Sequence, residues 1–389
     1  MNLRTLPDLD LRGHRVLLRV DFNVPMEERV ITDDARIRAA LPTIQYLLEH
    51  DASVVICSHL GRPKGKVVAQ LSLRPVAHRL ERWVGRPVAF VGQTVGPEAT
   101  EAAQGLGPGQ LLLLENTRFN PQETDNQPEF ARELAALGEV YVNDAFGTVH
   151  RAHASTEGVA HYLPSAAGML VEREVQYLET ALQDPARPFV AVLGGAKISD
   201  KIGVVGSLIE RTEALLIGGG MANTFLAAQG HDMADSLVEP GSYEVALELI
   251  DKAREKLHLP ADAVAADAFS SEAATRVVDV GNVPGGWHVL DIGPQTLEAF
   301  SRAVGRAGTV FWNGPMGVFE LAPFAAGTVG LATAIAQSNA LSIVGGGDSA
   351  AAVRKAGLAN QINHLSTGGG AALALLEGKP LPGLVVLQA

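Results

Sequence analysis

The feature that most constrains this chain is a recurring unit: a short, continuously apolar run, then glycine or charged residues, then a helical pattern. In the first half the runs are Arg15–Val20, Val54–Ser58, Val88–Val91, Leu111–Leu114 and Val140–Val142. In the second they are Phe189–Leu193, Ala214–Ile217, Val289–Ile292, Val310–Trp312 and Leu341–Val344. Between them lie helix-like segments, Asp33–His50, Arg74–Val84, Pro128–Leu137, Ser199–Arg211, Tyr243–Leu257 and Thr296–Val304. Pro42 reads as the opening of a second helical segment within the first of these. Runs that do not alternate imply strands buried on both faces, hence parallel sheets covered by helices. The pattern occurs twice, and 389 residues exceed the size at which a single core stops growing. The expected fold is therefore α/β, with two doubly wound parallel-sheet (Rossmann-like) domains and a cleft between them. The first spans 1–169 and the second 188–378; residues 170–187, with apolar Val171, Val175 and Leu178 at helical spacing, form the connecting helix.

Charge and cysteine usage narrow the function. The net charge of −12 argues against nonspecific nucleic-acid binding. It is unevenly spread: residues 1–169 hold 17 Lys/Arg and 20 Asp/Glu, and residues 170–389 hold 14 and 23. Seven of the 11 histidines also fall in the first part, which makes it the better host for a small, highly charged anion. The single cysteine, Cys57, sits inside an apolar run and reads as a buried, inert thiol, so no disulfide framework exists within the chain. The N-terminus lacks the apolar core of a signal peptide, and no run of 18 apolar residues occurs. A reducing, cytoplasmic setting is expected.

In doubly wound sheets, ligands bind at the carboxyl ends of the strands. Those positions carry two different chemistries. In the first half they read Asp21-Phe22-Asn23, His59-Leu60-Gly61-Arg62, Glu115-Asn116-Thr117-Arg118 and Asp144 through His153, and Arg36 follows the capping sequence Thr32-Asp33-Asp34. In the second they read Gly194-Gly195-Ala196-Lys197, Gly218-Gly219-Gly220, Gly293-Pro294, Asn313-Gly314-Pro315, Gly345-Gly346-Gly347-Asp348-Ser349 and Thr367-Gly368-Gly369-Gly370. The first set suits a multiply charged acid gripped by side chains; the second suits a nucleotide held largely by backbone amides. After Phe189–Leu193, two glycines let the backbone approach a ligand, and Ser199 or Asp200 is expected to cap a helix. Lys197 and Lys201 would then share one helical face. No Walker pattern occurs. Asp348 is the one acid of its glycine loop, suited to magnesium or to capping the helix behind it.

These stretches together resemble the phosphoglycerate kinase family. Arg19-Val20-Asp21-Phe22-Asn23-Val24-Pro25, His59-Leu60-Gly61-Arg62-Pro63, Glu115-Asn116-Thr117-Arg118-Phe119, Asp144–His153, Leu193–Lys201, Trp312–Glu320, Gly345–Ser349 and Ser366–Gly370 carry the likeness, in order, over residues 19–379. The short loop Pro121–Pro128 reads as ordinary variation. The resemblance implies reversible phosphoryl transfer from 1,3-bisphosphoglycerate to ADP, giving 3-phosphoglycerate and ATP, with Mg2+ as cofactor. It implies that Arg62, Arg118, Arg151 and His59 hold the glycerate phosphate, Asp21 and Asn23 its hydroxyl and carboxylate end, and Arg36 the transferring group. On the nucleotide side it implies Lys197 at the transferring group, Lys201 at the α-phosphate, Gly293, Asn313, Gly346, Gly347 and Ser349 around the nucleotide, Glu320 at its ribose and Asp348 on the metal. Gly370, opening a final helix, would receive the phosphoryl group in flight. Residues 379–389 are expected to return to the first domain. Small molecules are the only partners implied, and a monomer is expected.

Two other classes fit the architecture less well. A dinucleotide-dependent dehydrogenase needs Gly-x-Gly-x-x-Gly after a strand, which no glycine cluster here spells. A two-domain solute-binding protein would have no use for two separate anion chemistries.

Overall fold

A computed structural model describes residues 1–389. The chain divides into two compact units, Met1–Gln176 with Pro380–Ala389, and Tyr177–Lys379.

The first unit is a six-stranded, wholly parallel sheet. Its strands are β1 (Arg15–Val20), β4 (Ser53–Cys57), β5 (Val88–Phe90), β6 (Leu111–Leu113), β7 (Val140–Asp144) and β8 (Ser165–Ala167), in the order β5-β6-β4-β1-β7-β8. A small antiparallel hairpin, β2 (Met26–Glu27) and β3 (Val30–Ile31), stands apart from it. The helices are α1 (Ala35–Glu49), α2 (Arg74–Val84), α3 (Pro97–Gln104), α4 (Pro121–Thr124) and α5 (Pro128–Ala135), followed by the long α6 (Met169–Gln183). Pro42 does not restart a helix but lies inside α1, so one turn runs without its N–H. α2 shows how sequence sets limits: Pro75 opens it and Gly85, at φ +70°, closes it in a left-handed turn. The core forms where these helices cover the sheet, with Val16, Leu18, Val54, Ile56, Leu113 and Val142 fully buried among Ile37, Ile44 and Leu80. The last ten residues complete this unit. Leu3 bridges Gln388, and the Arg4 N–H donates to the Leu387 carbonyl at 2.9 Å. The final short helix of the chain, Pro382–Val385, packs Gly383 against Val149.

The second unit repeats the plan. The strands are β9 (Phe189–Leu193), β10 (Ala214–Ile217), β11 (Leu257–His258), β15 (Thr309–Asn313), β16 (Leu341–Gly345) and β17 (His364–Leu365), all parallel in the order β11-β10-β9-β15-β16-β17. The run at Val289–Ile292 does not join them. It lies in β14 (His288–Ile292), which with β12 (Asp262–Ala266) and β13 (Thr275–Asp279) makes a separate antiparallel sheet. Four to five apolar residues fit either kind of strand, so the sequence pattern alone did not distinguish them. Helices α7 (Ile202–Arg211), α8 (Gly219–Ala228), α9 (Tyr243–Ala253), α10 (Pro294–Gly305), α11 (Ala326–Gln337), α12 (Gly347–Lys355) and α13 (Gly369–Leu376) surround the sheets. α7 begins three residues later than expected. Lys201 is its N-cap, and the Ser199 backbone N–H and hydroxyl both donate to Glu239, at 3.1 and 2.7 Å, rather than capping the helix. Trp312, Phe311, Val192 and Val344 are fully buried at the centre of the unit.

Candidate functional site

In the first unit the loops after β1, β4, β6 and β7 leave adjacent strands and are stitched together by polar contacts. The Asp21 carboxylate, just past β1, accepts from Arg36 Nη1 at 3.1 Å and from the Asn23 N–H at 3.2 Å. The ion partner of Arg36 is thus Asp21, fifteen residues back, which makes Asp21 an orienter of that arginine. Arg36, in the first turn of α1, also donates to the Asn23 carbonyl at 3.1 Å. Asn23 Oδ1 in turn accepts the Gly61 N–H at 2.8 Å, and Arg118 Nη1 donates to the Gly61 carbonyl at 2.9 Å. Gly61 sits at φ +63°, where Leu71 fills the space a side chain would need. Arg118 is held by its turn, its N–H donating to the Asn116 side chain at 3.1 Å. Arg151 Nε donates to His150 Nε2 at 3.0 Å, so the proton of His150 resides on Nδ1.

These groups share one positive field. The imidazole of His59 is held well below its usual range, first by burial and then by Arg19, Arg118, Arg36 and Arg151. His153 is depressed to about 4 by burial and then by Arg118, Arg19 and Arg151. Burial and the same neighbours bring Arg118 down to about 10. Three buried nitrogens of the cluster, Arg118 Nε, His150 Nδ1 and His153 Nδ1, have no partner. Arg118 Nε and His150 Nδ1 are donors left without acceptors among several guanidinium groups, an arrangement that favours an anion. Asp21, Asn23, Arg36, His59, Arg118 and Arg151 are therefore brought together. Arg62 is not: it is exposed in the loop after β4 and makes no hydrogen bond or ion pair.

Sequence reasoning passed over two groups here. Arg19, fully buried in β1, lies at the heart of the field. The loop Pro121–Pro128 contains α4 and a fully buried carboxylate, Glu123. The signal for Arg19 was present, a cation inside a run otherwise fit only for the core. No signal marked Glu123, because acid side chains in a short polar loop are usually solvated.

In the second unit, a cavity of about 540 Å³ opens beside the carboxyl ends of β9 and β15. Its walls include Gly195, Gly219, Leu237, Pro315, Val318, Glu320 and Asp348. Most of the lining is apolar, and Leu237 and Phe269 stand 52% and 66% exposed at it, which suits a flat aromatic base. Neither residue was marked by sequence, since a lone exposed hydrophobe is ordinary. Asn223, buried at this wall, carries an unpartnered Nδ2 donor.

At the switch between β9 and β15, where the chain order reverses, the backbones nearly touch. Gly314, at φ +94°, would place a Cβ 2.2 Å from the Gly194 carbonyl oxygen. Lys201 Nζ bridges them, donating to the Gly194 carbonyl at 2.6 Å, the Asn313 carbonyl at 3.2 Å and Asn313 Oδ1 at 2.8 Å. Burial lowers its ammonium to about 8, against the opposing pull of Asp200 and Asp348. Lys197 precedes the helix, exposed and without a hydrogen bond, so the two lysines do not share a helical face. The N-cap of α12 is Gly346, at φ +97°, which leaves Asp348 exposed in the first turn and free of a capping role. Ser349 is buried and accepts the Gly314 N–H at 2.6 Å, tying the two glycine loops together. Gly347 and Gly370 are exposed in the first turns of α12 and α13. Gly293 stands outside the cavity wall, its N–H donating to the Asp262 carbonyl at 2.9 Å.

The description of one protein family, phosphoglycerate kinase, fits residues 6–379. Over its full length the chain is 59% identical to the phosphoglycerate kinase of Roseiflexus sp. (strain RS-1), all of which is covered. It is equally identical to that of Chloroflexus aurantiacus, with 99% of the relative covered. Among solved structures, the enzymes of Coxiella burnetii (43% identity, TM-score 0.87) and Pyrococcus horikoshii OT3 (34% identity, TM-score 0.89) each match 99% of this chain and 98% of their own.

Proposed function

The chain belongs to the phosphoglycerate kinase family, and on that premise we propose which of its residues carry the phosphoryl group. The activity is reversible transfer between 1,3-bisphosphoglycerate and ADP, with ADP and ATP as nucleotide substrates.

The glycerate binds in the first unit. His59, Arg118 and Arg151 hold its phosphate, with Arg62 closing on it from the exposed loop, and Asp21 and Asn23 receive the hydroxyl and carboxylate end. Arg36 reaches the transferring group. The observation that carries this reading is the network in which Arg36, Asp21, Asn23, Gly61 and Arg118 are joined by hydrogen bonds, with Arg118 Nε and His150 Nδ1 left unpartnered beside it. The nucleotide binds in the second unit, its base against the apolar cavity, its ribose at Glu320 and its phosphates at Lys201, Asn313, Gly346, Gly347 and Ser349, with Gly293 behind them. Lys197 and the N–H of Gly370 meet the transferring group. Asp348 suits magnesium, because that ion takes one or two carboxylates and completes its shell with phosphate oxygens and water. When bound, magnesium supplies positive charge to the nucleotide phosphates.

In the direction of ATP synthesis, a terminal oxygen of ADP attacks the acyl phosphate in line, and the glycerate leaves as a carboxylate. No proton needs to move and no covalent intermediate is formed; positioning and charge neutralisation suffice. Because the two pockets belong to different units, the reacting atoms must be brought to about 3–3.5 Å by closure of the units. The hinges fall in the connecting segment 170–187 and at the return 379–389. The reading is of a monomer working in the cytoplasm.

A coupled assay of ATP formation tests the assignment. Arg36→Ala is expected to lower turnover by about 10³–10⁵, the scale of arginines acting on a transferring phosphoryl group. Its melting temperature should stay close to the parent's, since Arg36 is part-exposed. Unchanged turnover would remove Arg36 from the mechanism.

A further inference from the structure

A buried polar chain in the first unit has no place in the transfer itself. Glu123, Ser155 and Arg19 are fully buried, and His59 nearly so. The Ser155 hydroxyl donates to Glu123 Oε1 at 2.6 Å, while the Ser155 N–H donates to Glu123 Oε2 at 2.9 Å. Arg19 Nε donates to the Ser155 oxygen at 2.8 Å, its Nη1 to the Val20 carbonyl, and its Nη2 lies 3.3 Å from His59 Nδ1. Thr117, next to Arg118, also donates to Glu123, at 3.3 Å.

The direction of every bond follows from donor chemistry. A guanidinium has only donors, so the atoms facing it must offer lone pairs. The single hydroxyl proton of Ser155 therefore points at the carboxylate, and His59 Nδ1 carries no proton. The carboxylate that faces it, Asp21 Oδ1, is 3.9 Å away, too far to claim a proton from that nitrogen. The proton of His59 is thus on Nε2.

We propose that Glu123, acting through Ser155 and Arg19, is a positioning residue that locks His59 as a neutral Nε2–H donor for the glycerate phosphate. This rests on the assignment of the acid site to the first unit. The carboxylate also offsets the guanidinium charge of Arg19, which alone at this depth would be strongly unfavourable. By receiving Ser155 and Thr117 it ties together the loops that carry Arg151 and Arg118.

The test uses the full chain with Ser155→Ala, which buries no charge, and Glu123→Gln. Steady-state kinetics in both substrates and nitrogen-15 spectra of the His59 ring are recorded for each. The expected result is a rise of about tenfold in KM for 3-phosphoglycerate, the scale of one hydrogen bond to a charged group, with KM for ATP unchanged. The ring spectrum should move from a single Nε2–H tautomer to a mixture. The double variant should be no worse than the poorer single one, because both cut the same chain. If Glu123→Gln does not fold, Ser155→Ala decides. A parallel rise in both KM values, or an unaltered ring spectrum in Ser155→Ala, overturns the proposal. If Arg36→Ala impairs turnover while neither relay variant changes the acid KM, the relay alone fails. If Arg36→Ala is also silent, the acid-site assignment fails with it.

Discussion

With Lys201 at the nucleotide phosphates, as proposed, nucleotide binding is expected to be proton-linked. In the free protein its ammonium is lowered from 10.5 to about 8, chiefly by burial. Its Nζ is satisfied only by uncharged oxygens of Gly194 and Asn313. A shift of this size means that holding the charge costs the fold about 3 kcal/mol. The sign is that of a depressed lysine: the cost is present in full below about pH 8 and is relieved as pH rises from there to 10.5, where the unfolded chain still binds the proton. A nucleotide phosphate beside Nζ supplies the missing negative charge and returns the group toward its ordinary value. At pH 8 about half of the free molecules carry this proton, so ADP binding should take up about 0.5 proton, rising to about 0.9 at pH 9.5 and vanishing below pH 6.5. Titration calorimetry in two buffers of different ionisation enthalpy reads the uptake directly. Lys201→Met should abolish it and weaken ADP binding by about tenfold to a hundredfold, the scale of one charge-assisted hydrogen bond. Heats independent of buffer between pH 8 and 9.5, or the same uptake in Lys201→Met, would refute the reasoning.

Two further outcomes concern stability. Asp144, fully buried where β7 ends and α6 begins, is raised to about 7 by burial, although it accepts from Leu170 and Val171 backbone N–H groups. Its neutral form is favoured in the fold, so its contribution falls as pH rises from 3.8 to about 7. Asp144→Asn should gain stability relative to the parent across that window, by up to about 4 kcal/mol, in urea unfolding at pH 5 and pH 8. An equal difference at the two pH values would sink the idea. Gly314→Ala would drive a methyl group into Gly194 at a left-handed φ, costing about 2–5 kcal/mol of overpacking and backbone strain. Calorimetry should show a lower transition and lost ADP binding while 3-phosphoglycerate binding persists; intact ADP affinity would contradict the geometry.

Much of the site was legible in the chain because strand-end position is a local property. Asp21, His59, Arg118, Gly194 and Gly346 follow within a few residues of the ends of apolar runs, so they could be placed by counting. Their partners could not. Arg36 pairs with Asp21 rather than with its neighbour Asp33 because α1 folds its first turn back over the loop after β1. Ser199 turns to Glu239 because α7 starts late, and Val289–Ile292 joins an antiparallel sheet because its pairing partner β12 lies more than twenty residues earlier. Each of these depends on contacts between segments remote in sequence, which no local pattern encodes.

By itself the sequence determined the two-fold α/β plan and the separation of guanidinium chemistry from glycine chemistry, since burial periodicity and residue type act locally. Only the tertiary structure decided which charges meet, that Arg19 and Glu123 are buried together, and which nitrogen of His59 holds its proton. Those outcomes depend on distances of 3 Å between strands and loops, and on a dielectric that exists only once the core has closed around them.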